Sequence, residues 1–311
     1  MSMQLVLQQI IVIFCYVAVG LGAGKLKIIN PDQRKYLTKL CSGLILPFTI
    51  LSAASMEIGG EGFRNLGIAL GVAFLMMGGT MAGSLLLSHV FHADEKFRAA
   101  FTSLISFPNC TFLGLPLCRA LFGEIAVLYN CAALIAFNVL FFTVQLPLFT
   151  GGKINLKAIL TVPTLATFGL LVMLAMGIHW PGPVQTVVSN VGGMITPLSL
   201  IIIGVMLSEN DLMSIFREKA VYLIMALRNF LIPALAMLVL MAVPMDVQDK
   251  LCVLVYLSCP CATLTTIYSI QTDTRPELCA RSVLFSTICF AISLPVVIAV
   301  GQFLFSGGKW L

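Results

Sequence analysis

Apolar residues run along this chain in long uninterrupted blocks, without the 3.6-residue stripe of an amphipathic surface helix or the alternation of a half-buried strand. Ten such blocks can be marked, at about 4–24, 36–56, 66–91, 97–119, 124–149, 157–178, 184–208, 219–243, 249–271 and 277–305. A helix needs about 20 mostly apolar residues to cross a bilayer. The pattern therefore predicts an all-α membrane protein with ten transmembrane helices. The polar connections between blocks are short. Within these residues they leave no room for a soluble catalytic or nucleotide-hydrolysing domain, and nothing points to an enzyme or a bound cofactor.

Composition agrees. Of the 311 residues 59% are hydrophobic and 10% charged, with a mean hydropathy of +1.03, whereas soluble domains carry about 25% charged residues. The net charge of +5 follows from topology and calls for no nucleic-acid partner. Thirteen of the 18 Lys and Arg residues fall in one set of loops, among them Lys25, Arg34, Lys39, Lys96, Lys153, Lys157, Arg217 and Arg275. The opposite set holds Arg64, Arg119, Lys250 and Lys309. The rule that cytoplasmic loops are positive puts the first set in the cytoplasm and both termini outside. No basic run precedes the first block, so it reads as a retained helix and not a cleaved signal. Most of the ten cysteines fall within apolar blocks, where Cys behaves as a small hydrophobe.

The two halves of the chain, 1–150 and 151–311, share their punctuation. SGLILPFTIL around Pro47 matches GGMITPLSLI around Pro197. Phe63-Arg64 matches Phe216-Arg217, Pro108 matches Pro260, Glu124 matches Glu277, and Pro147 matches Pro295. Five blocks per half is an odd number, so the second half enters the membrane the other way up. This predicts two inverted five-helix repeats, a frequent build of secondary transporters.

Blocks four and nine each have a proline at their middle, Pro108 in SFPNCTFLGLP and Pro260 in LSCPCATLTT. Proline removes a backbone donor and clashes with the preceding turn. Groups freed at that depth are tolerated only within protein or beside a water-filled cavity. The expectation is a pair of broken, crossing helices whose second halves begin at the midplane and point their N-terminal dipole ends at a shared centre. Asn109, Cys110 and Thr111 follow the first break; Cys261 and Thr263 follow the second. The thirteen acidic residues all fall in loops or at block ends, which leaves no carboxylate at membrane depth and favours an anionic cargo over a cation. Arg228, within block eight, reads either as a gate or substrate-attracting charge or as a snorkelling side chain. Asn138, mid-block in the fifth, reads either as helix–helix glue or as a lining residue beside the first break.

PNCTFLGLPL at Pro108–Leu117, with FGE at Phe122–Glu124, Asn138, Pro260, Arg275-Pro276-Glu277 and the SLP at Ser293–Pro295, resembles the auxin efflux carrier family, which includes plant auxin exporters and bacterial malate and malonate permeases. The resemblance implies a scaffold of spans 1, 2, 6 and 7 and a transport domain of spans 3–5 and 8–10. It further implies elevator movement, a homodimer through the scaffold, and a substrate carboxylate held by Asn109 beside crossovers at Pro108 and Pro260. The short link between spans five and six implies a compact bacterial member in the inner membrane. The sequence departs from the family pattern at Cys110 and Thr111, which leaves the organic anion unnamed. Two alternatives stay open: a metalloid or soft-metal permease using thiols of Cys110, Cys259 and Cys261, and a sodium-coupled organic anion symporter using neutral oxygens.

Overall fold

The computed structural model describes residues 3–152, 159–209 and 218–308, without the side chains of 3–7 and 10. Lys153, Lys157, Asp211, Phe216, Arg217 and Lys309, which entered the charge and repeat arguments, lie outside the described residues, as does most of the link between spans five and six. The described secondary structure is helical apart from one isolated β-bridge. In chain order the helices are α1 (Met3–Lys25), α2 (Pro31–Ser55), α3 (Gly60–Val90), α4a (Glu95–Ser106), α4b (Cys110–Phe122), α5 (Ile125–Thr150), α6 (Val162–Met176), α7 (Gly182–Ser208), α8 (Lys219–Met241), α9a (Val247–Ser258), α9b (Thr263–Gln271) and α10 (Pro276–Phe305). Each falls on one of the ten apolar blocks. Six of them, α2, α3, α5, α7, α8 and α10, are long and apolar enough to cross a membrane.

Prolines shape these helices in a regular way. Pro47, Pro116, Pro147 and Pro233 each follow a π-helical turn, over Cys41–Ile45, Cys110–Gly114, Phe141–Gln145 and Leu227–Leu231. A proline lacks the N–H that would bond the preceding turn, and its ring crowds the carbonyl there. The wider turn accommodates that crowding without ending the helix.

The helices pack in two groups. In one, α1 runs along α7, and α2 packs on the first part of α7 and on α6. In the other, α3 packs on α4a and α5, while α9a and α8 pack on α10. Within the first group α1 and α7 meet through glycine. A Cβ on Gly20 would land on the Ile201 carbonyl, and one on Gly204 on the Val17 carbonyl. Polar contacts finish the group: Thr49 Oγ1 donates to the Gly192 carbonyl at 2.8 Å, and Gln185 Nε2 to that of Ser52 at 3.0 Å.

Ion pairs fasten loops within the second group. Lys96 meets Asp273 at 2.7 Å, Arg275 meets Asp94 at 2.5 Å, and Arg281 meets Glu218 at 3.3 Å. Asp94 also caps α4a by accepting the Phe97 N–H at 2.7 Å. That bond and the Arg275 guanidinium hold its carboxyl below the usual range. A lowered carboxylate stabilises at neutral pH and loses its contribution only as pH falls through the lowered value.

The close approach of α1 and α7 makes a direct prediction. Gly204→Ala lowers the melting temperature of the purified protein, overpacking of this kind costing about 1–3 kcal/mol. Gly193→Ala, where a Cβ meets nothing within 4 Å, leaves it unchanged or slightly higher.

Candidate functional site

The two broken helices meet at their breaks. Phe107, Pro108 and Asn109 separate α4a from α4b, and Cys259 to Ala262 separate α9a from α9b. The extended residues pair as an antiparallel bridge, Pro108 with Cys261. Asn109 N–H donates to the Pro260 carbonyl at 2.8 Å, and Ala262 N–H to the Phe107 carbonyl at 3.0 Å. Each break thus supplies the backbone partner that the other lost. Ser103 and Thr265 join hydroxyls across the crossing at 2.7 Å, and Cys261 N–H donates to Ser286 Oγ on α10 at 3.2 Å.

The four half-helix ends at this crossing are unlike in charge. The C-terminal, negative ends of α4a and α9a are closed by Arg228. Its Nε donates to the Cys259 carbonyl at 2.8 Å, Nη1 to Ile105 at 2.9 Å and Nη2 to Leu257 at 2.7 Å. The side chain is 1% exposed, and the π turn of α8 that carries it spans Leu227–Leu231. It neither snorkels to a surface nor stands in the cavity described next. The snorkelling reading of Arg228 gives way to an internal clamp, because three carbonyls at the ends of two helix dipoles offer a buried guanidinium a complete cradle.

The N-terminal, positive ends of α4b and α9b are different. A helix start leaves its first N–H groups without intrahelical acceptors. Those of Cys110, Thr111, Phe112, Thr263 and Leu264 donate to no carbonyl among the described backbone bonds. Among the described residues the one acid of the cavity adjoining these ends is Glu209, which is paired with Arg34.

A cavity of about 200 Å³ opens beside them. Asn109 and Thr263 line it at the crossing, with Thr266 of α9b and Thr287 of α10. Thr266 Oγ1 is shielded from solvent and has no partner among the described residues. Ile203 and Leu207 of α7 and Val283 and Leu284 of α10 form the apolar walls, and Arg34, in the first turn of α2, and Glu209, which follows the last turn of α7, line it as well. The cavity therefore lies between the two packing groups.

Of the other sequence-predicted site residues, Cys110, Thr111, Asn138 and Cys261 do not line this cavity. Cys110 and Cys261 are buried, at 2% and 0% exposure. Asn138 is buried and donates from Nδ2 to Thr164 Oγ1 on α6 at 2.7 Å; it joins the two packing groups, which is its glue reading. Phe137 and Phe141 beside it hold the Phe107 ring, with centroids 5.0 and 5.2 Å apart.

The three thiols of the soft-metal alternative do not converge. Cys259 Sγ turns back to the Val255 carbonyl at 3.3 Å, Cys110 Sγ lies 3.9 Å from the Thr111 hydroxyl, and no group of three His, Cys, Asp or Glu able to hold a metal occurs among the described residues. Their packing role is visible at Gly114, where a Cβ would come within 2.8 Å of Cys259 Sγ and 3.0 Å of the Tyr256 ring. A bare glycine there lets α4b close on the second break.

Thr287, Arg34 and Glu209 were not among the sequence-predicted site residues. The repeat offered a signal for the first: the offsets of Glu124 to Glu277 and of Pro147 to Pro295 carry Asn138 onto 286–291, which includes Thr287. Arg34 and Glu209 read as ordinary loop charges, and their place on the cavity comes from the folded arrangement alone.

Arg228→Met removes hydrogen bonds from a charged donor, each worth about 1.5–3 kcal/mol, and strands three carbonyls. The expected result is a large fall in melting temperature, well beyond that of any cavity-lining substitution. An unaltered melting curve contradicts the clamp.

A family model described as a membrane transport protein matches the chain twice, over residues 5–158 and 143–298. No curated protein sequence matches the chain.

Proposed function

We propose that this chain, which belongs to the membrane transport protein family, works as a secondary carrier of a small organic anion, a carboxylate held at the crossing of α4 and α9. The observation that carries this reading is the charge imbalance of the crossing. Each helix end bears about half an elementary charge. The protein neutralises the negative ends itself, through Arg228, and leaves the positive ends without a counter-charge. A carboxylate supplies the missing charge, accepts from the N–H of Thr263 that starts α9b, and meets Asn109 and the Thr263 and Thr266 hydroxyls in the cavity. A cation at the same place would face two positive helix ends and a buried guanidinium, and the one described acid of the cavity, Glu209, is already paired with Arg34.

The ten helices cross the membrane as two inverted five-helix repeats in this reading. Transport follows from movement of the α3–α5 and α8–α10 group against the α1, α2, α6 and α7 group. Two observations support that division. The cavity lies at the boundary between the groups, and every described ion pair stays within one group. The hydrogen bond from Asn138 to Thr164 crosses the boundary and has to break when the groups slide. In this reading the charged end with Arg34, Lys96 and Arg275 faces the cytoplasm of a bacterium, and two copies associate through the first group.

Flux into liposomes tests the reading. The wild-type protein moves at least one of acetate, malonate, succinate or benzoate, and Asn109→Ala lowers that flux at least about tenfold, as loss of one charge-assisted contact requires. Undiminished flux in Asn109→Ala contradicts the site. Replacing Cys110, Cys259 and Cys261 together by Ser leaves carboxylate flux largely intact; its abolition would return the thiols to the mechanism. Flux with sodium replaced by choline shows whether a cation travels along.

A further inference from the structure

Among the described residues Arg34 is the one Lys or Arg that lines the cavity, and Glu209 the one acid. Both stand at helix ends, Arg34 in the first turn of α2 and Glu209 just past α7. Thr263 at the crossing and Ile270 towards the mouth lie on the same helix, α9b, and both line the cavity; seven residues of helix separate them by about 10 Å. Asn109 is buried at the break inside α4, while the Arg34 and Glu209 side chains reach solvent. The ion pair is therefore a separate feature of the entrance.

Its geometry is unusual for a surface pair. Arg34 Nε donates to both carboxylate oxygens of Glu209, at 2.8 and 3.0 Å. The terminal Nη1 and Nη2 groups, the fork that matches a carboxylate best, have no partner among the described hydrogen bonds. The two side chains are only 20% and 22% exposed, against 57% and 85% for Lys96 and Asp273. The backbone below Arg34 is held firmly. Asn30 and Gln33 form a reciprocal cap, each side chain accepting the other's N–H at 2.9 Å, and Pro31 opens α2.

We propose that Arg34 is a capture site for the arriving anion and that Glu209 is its built-in occupant. This inference rests on the anion-carrier reading above. The pair is neutral while Glu209 holds the guanidinium through Nε. An incoming carboxylate meets the Nη fork, competes with Glu209 for the charge, and passes along the apolar walls to the positive helix ends at the crossing. Arg34 governs entry, and Asn109 governs binding at the centre. Glu209 limits how long an anion stays at Arg34 and keeps the entrance from trapping its cargo.

Opposite responses to the two neutralising substitutions separate this role from a simple staple between α2 and α7. Initial rates of uptake would be measured in liposomes against concentration, using whichever of acetate, malonate, succinate and benzoate the wild-type protein moves fastest. Arg34→Gln is expected to raise KM at least about tenfold, the loss of one charge-assisted contact. Glu209→Gln is expected to lower KM, because the freed guanidinium gives the entrance a net positive charge. Maximal rates stay within about twofold in both, as expected for an entry step that does not limit turnover. The difference between the variants shrinks in high salt, which screens partly exposed charges.

A shift of KM in the same direction in both variants overturns the proposal, as does no shift in either or a change confined to the maximal rate. If Arg34→Gln fails to fold, Glu209→Gln decides alone: a lowered KM supports capture, and a raised or unchanged one refutes it. If the wild-type protein moves none of the four carboxylates, the anion-carrier reading itself fails and this inference with it. If it moves one and Asn109→Ala does not, that reading stands whatever the entrance variants show.

Discussion

Backbone hydrogen bonds cannot be left open at membrane depth, and this protein opens two helices at one place. The constraint is severe, because an unpaired amide or carbonyl in hydrocarbon costs several kcal/mol. The solution is mutual. The Asn109 and Ala262 amides reach across to the Pro260 and Phe107 carbonyls, so each interruption repairs the other. Neither break would be stable without its partner, which ties the two halves of the chain into one unit. Gly114 permits the approach, and Phe107, Phe137 and Phe141 pack around it.

The repair leaves a residue of charge. Two helix C-termini and two N-termini converge, and the backbone bridge settles only some of their polar groups. Arg228 settles the carbonyl side with three hydrogen bonds. No described acidic residue does the same for the amide side. The asymmetry has no structural purpose by itself, since a buried Asp or Glu would neutralise the amide ends as Arg228 neutralises the carbonyl ends. It makes sense when the counter-charge comes and goes. On this account the anion completes the crossing electrostatically when it binds.

Much of this was legible in the sequence because membrane helices leave coarse marks. Ten apolar blocks matched the helices within a few residues, and Pro108 and Pro260 marked both breaks, since a proline at mid-block has few structural alternatives. What resisted was side-chain direction. Arg228 looked like a surface-seeking or substrate-facing charge, because nothing in its own segment reveals that Ile105 and Leu257 present carbonyls to it from two other helices. Asn138 sits close in sequence to Phe137 and Phe141, which do touch the crossing, yet its amide turns to Thr164. Cys110, Cys259 and Cys261 share one crossing yet form no metal-holding group among the described residues, and small residues there serve close packing. Glu209 falls at a block end like the other acids, and only the folded chain brings that end to the cavity. Loop charges and helix faces are decided by neighbours distant in sequence, and a single chain without relatives to compare does not record those.

The central claim is that the crossing lacks one negative charge. Thermal unfolding of the purified protein in the presence of paired ligands tests it most directly, because a ligand that binds the native state raises its stability. The pair is a carboxylate and its neutral amide of the same shape, benzoate and benzamide or succinate and succinamide. The account predicts that a carboxylate raises the melting temperature in a saturable way and its amide does not, with the effect lost in Asn109→Ala. Equal stabilisation by the amide, or stabilisation by cations alone, would contradict it.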